Sequence, residues 1–209
     1  MPGESPYDQR YREVGSGFYW GTKPSILCRG VLDYLPPPRG TRPSLIDLGC
    51  GEGRNAVYLG AHGYQVTGLD LSEVGLAKAR EYAAHAGVDL VTLHADLRTC
   101  RLTGTYDVVF STGTLHYLAP ELREERFRHL KERTSPHGLH AVSAFVDKPF
   151  IPCAPDAAED AVPFHSGELM GCYADWEILH SSEEVFDCLS GGVPHQHAVC
   201  RVLARRYRG

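Results

Sequence analysis

The segment Ser44-Leu45-Ile46-Asp47-Leu48 runs directly into Gly49-Cys50-Gly51-Glu52-Gly53, and this junction restricts the fold more than any other feature of the chain. A short apolar run carrying an acid near its end reads as a buried strand. The alternating glycines then let the backbone turn sharply and approach a ligand at the start of the next helix. A nucleotide-like ligand is implied. A dinucleotide fingerprint needs G-x-G-x-x-G, but the sixth position from Gly49 is Arg54, which disfavours an NAD or FAD dehydrogenase.

From residue 44 onward, short apolar runs alternate with helical patterns, the rhythm of a parallel sheet covered on both faces. Strands are predicted at Ser44–Leu48, at Gln65–Leu69 before Asp70, at Leu90–His94 before Asp96, at Tyr106–Ser111, at Leu139–Phe145, and as closing pieces at Trp176–His180 and Ala198–Ala204. Helices are predicted over Arg54–Ala61, stopped by Gly63, from a Ser72 cap to about Ala86, and after Pro120 with Phe127 and Leu130 facing inward. The expectation is a single α/β domain over residues 31–209, with a doubly wound, Rossmann-like, seven-stranded and mostly parallel sheet. Residues 1–30, with Tyr7, Tyr11, Phe18, Tyr19 and Trp20, lie outside the alternation and are expected to form an aromatic cover. A lid-like insertion is expected at about 148–175, where prolines 149, 152, 155 and 163 and the acidic run Asp156–Asp160 break the rhythm. A short helix capped by Ser166 and carrying Leu169, Cys172 and Tyr173 would follow.

Composition narrows the partners. At 209 residues, 43% hydrophobic and 22% charged with a formal net charge of −5, the chain can bury a core and has no basic stripe to attract nucleic acid. The dense Arg201, Arg205, Arg206 and Arg208 read as a strand end and tail. With neither a leader pattern nor an apolar run of membrane-spanning length, a cytoplasmic monomer or homodimer without membrane or nucleic-acid partners is expected. Cysteines 28, 50, 100, 153, 172, 188 and 200 include no C-x-x-C pair and read as reduced thiols.

In a doubly wound sheet, Asp47, Asp70 and Asp96 stand at neighbouring strand ends and face one crevice, so a single ligand can touch all three. Each alone is ordinary turn chemistry. The ordered set resembles the class I methyltransferases over roughly residues 44–145. That resemblance implies S-adenosylmethionine as cofactor, its methionine part held by Asp47 and the backbone of Gly49, Cys50 and Gly51. It implies Asp70 on the ribose, Asp96 on the adenine amino group, Leu71 and Leu97 on the ring faces, Ser111 on the sulfonium side, and Arg54 or Trp20 at the cofactor carboxylate. A narrower set resembles the tellurite-resistance methyltransferase family from about residue 44 to the end: Gly51-Glu52-Gly53-Arg54-Asn55, Tyr106 to Thr112, Pro152-Cys153, Pro163-Phe164, Gly167-Glu168-Leu169 and Trp176. That family implies small acceptors, oxyanions among them, and no metal. This chain departs from it in a longer aromatic N-terminal segment and in Pro194-His195-Gln196-His197, both where substrate should sit.

Methyl transfer from a sulfonium needs little acid–base apparatus, because the leaving group departs neutral and alignment supplies much of the rate. The expected reaction is transfer to a small nucleophile: a thiol, thioether, amine or chalcogen oxyanion. A natural-product O- or C-methyltransferase and a catalytically silent cofactor-binding partner or sensor are the alternatives. Where the acceptor must lose a proton, His116, His195 and His197 are candidate bases, although an ordinary surface or hydrogen-bonded histidine is an equal reading for His116 and the stronger one for His195 and His197. Tyr11, Tyr19, His116, Phe164 and His197 are the candidate substrate contacts, the tyrosines and Trp20 by closing over the site. The spacing of His195, His197 and Cys200 fits no standard zinc signature, so no metal is expected.

Overall fold

The computed structural model describes Ser5, residues 7–154, Ala158, residues 160–189 and residues 192–207. Pro155, Asp156, Glu159 and Arg208, all part of the expectations above, lie outside the described residues. The elements run α1 (Asp8–Glu13), α2 (Ile26–Tyr34), β1 (Ser44–Leu48), α3 (Arg54–Ala61), β2 (Gln65–Asp70), α4 (Glu73–His85), β3 (Leu90–His94), β4 (Tyr106–Thr112), a 3-10 turn (Leu115–Tyr117), α5 (Pro120–Glu132), β5 (Thr134–Val146), α6 (Glu168–Gly171), β6 (Glu177–Cys188) and β7 (His195–Arg205).

One seven-stranded sheet has the order β3-β2-β1-β4-β5-β7-β6. β1 is parallel to both β2 and β4, so the chain winds outward on either side of it. β7 is antiparallel to β5 and to β6, closing one edge with a hairpin. Alternation sorts the strands' side chains between two layers. Leu45, Val108 and Phe110 pack beneath Leu27 and Val31 of α2 and Leu59 of α3. Ile46, Leu48 and Val109 face Leu130 of α5 instead, and farther along the same layer Val142, Ala144 and Val202 meet Phe127, Leu169 and Tyr173.

Ser72 caps α4 as expected, its hydroxyl accepting from the Gly75 amide at 2.9 Å and donating to Asp8 of α1. Two expectations fail. Ser166 is not a cap: Gly167, at φ +78°, precedes α6, while the Ser166 hydroxyl lies 2.6 Å from Glu183 Oε1 and ties the segment to β6. The sixth strand does not stop at His180 but continues to Cys188, paired throughout with β7. Its polar stretch reads as loop in isolation, yet suits a half-solvated sheet edge, where charged side chains are common.

Candidate functional site

The switch in strand order between β1 and β4 opens a crevice at the carboxyl ends of the strands, the usual ligand position in such sheets. Here it forms a cavity of about 1000 Å³, walled by the glycine loop, the ends of β2 and β3, the loop after β4, described residues between 147 and 163, the end of the β6–β7 hairpin and the N-terminal aromatics.

The loop geometry explains its glycines. Gly49 has φ +74°, and a Cβ placed there would lie 2.0 Å from Thr114 Oγ1. The Gly49 and Cys50 amides donate to the Leu69 carbonyl at 2.7 and 3.0 Å, holding the loop to the end of β2. Asp70 accepts from the Gly51 amide at 2.7 Å and from the Ser72 amide at 2.8 Å, and burial raises its carboxyl above the usual range. Asp47 is buried behind the loop, and both its carboxylate oxygens lack a hydrogen-bond partner. Burial, and next the neighbouring Asp70 charge, push it up to about 7. Burial also raises Asp96, but hydrogen bonds from Arg98 at 2.8 to 3.0 Å outweigh that and hold its carboxyl below the usual value.

Of the residues singled out from sequence, Tyr11, Trp20, Gly49, Cys50, Gly51, Arg54, Asp70, Leu71, Asp96, Leu97, His116 and His197 line this one cavity. Five do not. Asp47 lies behind the loop rather than on the cavity wall. Ser111 is buried and donates to the Leu48 carbonyl at 2.9 Å, joining β4 to β1; because side chains alternate along a strand, the wall falls to Thr112, with Gly113 and Thr114 after it. Phe164 is sealed in the core, its ring under the Arg123 guanidinium at 3.8 Å. Tyr19 contributes its amide, donated to Glu52 at 2.8 Å, and its ring packs on Trp20. His195 is not on the cavity wall and meets it only through His197, Nε2 to Nε2 at 2.9 Å. His116 is on the wall, but burial drives its pKa down to about 3, too acidic for a base working near neutral pH.

Sequence reasoning missed three residues. Glu52, an acid between two loop glycines, is buried, 2.7 Å from the Lys78 ammonium, and accepts from the Tyr19 and Trp20 amides. It ties the N-terminal cover to the glycine loop; a charged residue inside a glycine loop was the available signal. Arg98, two residues past Asp96, also reaches Asp160 at 3.6 Å and so links β3's end to the 147–163 segment. Cys188, not Cys200, is the cysteine beside the two histidines, which follows only from the hairpin register.

Strand order, glycine loop and strand-end acids together define the class I S-adenosylmethionine-dependent methyltransferase fold. The chain belongs to the family described as tellurite resistance protein TehB, whose family model matches residues 41–190. A relative named "Probable S-adenosyl-L-methionine-dependent methyltransferase TehB", from Haemophilus influenzae, is 30% identical over 141 residues, which is 68% of this chain and 48% of the relative. The crystal structure of TehB from Haemophilus influenzae superposes with a TM-score of 0.75 at 26% identity, covering 86% of this chain and 61% of that one. A structure titled for the conversion of a disulfide bond into a thioacetal group during echinomycin biosynthesis shares the fold at TM-score 0.70 and 20% identity, covering 97% of this chain and 91% of that one. This chain spans about half the length of these and similar curated relatives. No helix among the described residues is long and apolar enough to cross a membrane.

Proposed function

We propose that this chain transfers a methyl group from S-adenosylmethionine to a small-molecule nucleophile: a thiol, thioether, amine or chalcogen oxyanion. The observation carrying the reading is the convergence of the glycine loop, Asp70 and Asp96 on a single cavity large enough for cofactor and a small acceptor together. The residues fit the cofactor. Asp47, buried with both carboxylate oxygens unpartnered and its carboxyl raised to about 7, lies behind the loop, where a bound cationic amino acid part would draw it into the charged form. Asp70 would take the ribose hydroxyls and Asp96 the adenine edge, with Leu71 and Leu97 against the ring.

S-adenosylmethionine brings an already activated methyl, so the chain's work is alignment and exclusion of water. Tyr7, Tyr11 and Trp20 line the N-terminal side, and the Tyr7 and Tyr117 hydroxyls, both on the cavity wall, are 2.9 Å apart. With His116 held neutral and weakly basic, an acceptor that arrives with its lone pair free is favoured. Calorimetry should give binding of S-adenosylmethionine and none of NAD. Methyl-labelled cofactor, incubated with a panel of thiols, amines, phenols and chalcogen oxyanions, should label at least one acceptor. Tight NAD binding without S-adenosylmethionine binding, or cofactor binding with no labelled product across the panel, would overturn the reading.

A further inference from the structure

The end of the β6–β7 hairpin carries donor groups for which methyl transfer alone has no use. Cys188 stands cross-strand from His195, and His197 is two residues farther along β7, on the same face. One ligand atom from each, a sulfur and two imidazole nitrogens, lies within 4.8 Å of the others. His195 Nδ1 is 2.7 Å from the Val193 carbonyl oxygen, which can only accept; Nδ1 therefore holds the proton and Nε2 presents a lone pair. A ligating histidine is commonly oriented through its other nitrogen in this way. Its Nε2 faces His197 Nε2 at 2.9 Å. Two nitrogens on a tetrahedral zinc ion, each bonded at about 2.05 Å, stand about 3.3 Å apart, so the pair needs to open by a few tenths of an ångström and to release the proton that His197 Nε2 donates across it. Stacking on Phe145, with centroids 4.6 Å apart and planes 13° from parallel, fixes the His197 ring. Cys188 and His197 also line the cavity.

We propose that Cys188, His195 and His197 form a three-ligand Zn²⁺ site whose remaining coordination position opens into the cavity. Two imidazoles and a thiolate are borderline-soft donors, suited to zinc rather than to magnesium or calcium. Three protein ligands with one position open is the pattern of a reactive zinc, whereas four protein ligands close a structural one. The acceptor class follows, and this part rests on the methyl-transfer reading: a thiol displaces zinc-bound water, loses its proton to solvent and stays on the metal as a thiolate. Its sulfur lone pair then forms the new S–C bond as the sulfonium C–S bond breaks, giving a thioether and S-adenosylhomocysteine. The metal does for the thiol what the weakly basic His116 does not.

Titrating the metal-free chain with Co²⁺ as spectroscopic probe tests the site. Uptake of one equivalent is expected, with a thiolate-to-cobalt charge-transfer band that Zn²⁺ bleaches. Cys188→Ser should abolish the band, and His195→Ala or His197→Ala should each weaken binding by about tenfold or more. Cys100→Ser, which lies outside the cavity, should change nothing. Absence of stoichiometric uptake, or a band that survives Cys188→Ser, would overturn the site and leave His195 and His197 as a hydrogen-bonded pair. S-adenosylmethionine calorimetry on the same metal-free chain separates the claims. Cobalt uptake without cofactor binding removes the acceptor assignment alone; cofactor binding without cobalt uptake removes only the metal.

Discussion

Substituting alanine at Gly49 should both destabilise the fold and disable the cofactor loop, and two distinct costs can be separated. An L-residue held at φ +74° loses about 1–2 kcal/mol through its Cβ. The added methyl would also meet Thr114, at 2.0 Å from Oγ1, 2.5 Å from Cγ2 and 2.6 Å from Cβ. Overpacking of this kind costs about 1–3 kcal/mol. Gly49→Ala should therefore lose roughly 2–5 kcal/mol in urea denaturation and weaken S-adenosylmethionine binding in calorimetry. Because the Thr114 Cβ is itself 2.6 Å away, Thr114→Ala cannot clear the space, whereas Thr114→Gly can. In a double-mutant cycle, Thr114→Gly should restore the packing part and leave about 1–2 kcal/mol, the backbone part. A Gly49→Ala chain within about 0.5 kcal/mol of the parent, or a Thr114→Ala rescue as good as Thr114→Gly, would refute the reasoning.

Asp47, raised to about 7, keeps a proton in the folded chain that the unfolded chain releases from about pH 4 upward. The cost of ionising it is thus absent below about pH 4, accrues to about pH 7 and is complete above, so Asp47→Asn should stabilise by about 2–3 kcal/mol more at pH 8 than at pH 5; an equal effect at both would contradict the burial argument. Ser72→Ala removes the α4 cap and a bond to Asp8, and should cost about 1–2 kcal/mol by urea denaturation, whereas a loss under about 0.3 kcal/mol would mean the cap is solvent-replaceable. Glu52→Gln weakens the tie to Lys78 and should speed limited proteolysis within residues 7–24 while the sheet's hydrogen-exchange protection stays unchanged; unaltered cleavage would remove Glu52's anchoring role.

The sheet was readable because its central strands are continuous apolar runs with glycine or acid at their ends, and that local signal survives any tertiary context. Asp70 and Asp96 became legible as a pair once the strand order was assumed. Ser111 misled because a one-residue difference in where a strand turns its side chains swaps wall for core, and Thr112 stands where Ser111 was expected. Phe164 misled because an aromatic in a proline-rich stretch looks exposed until Arg123 and Phe127 are packed against it. Ser181 to Asp187 carry no apolar alternation strong enough to announce a strand, so the pairing that brings Cys188 to His195 was invisible before β7 was in place.

Glu52 sits in the loop that would hold the cofactor's amino acid part and, by its other bonds, fastens the amino-terminal cover. By reciprocity, an occupant of the loop that strengthens this fastening would itself be held more tightly wherever the fastening is intact. A chain trimmed of its first helix should therefore hold such an occupant less tightly.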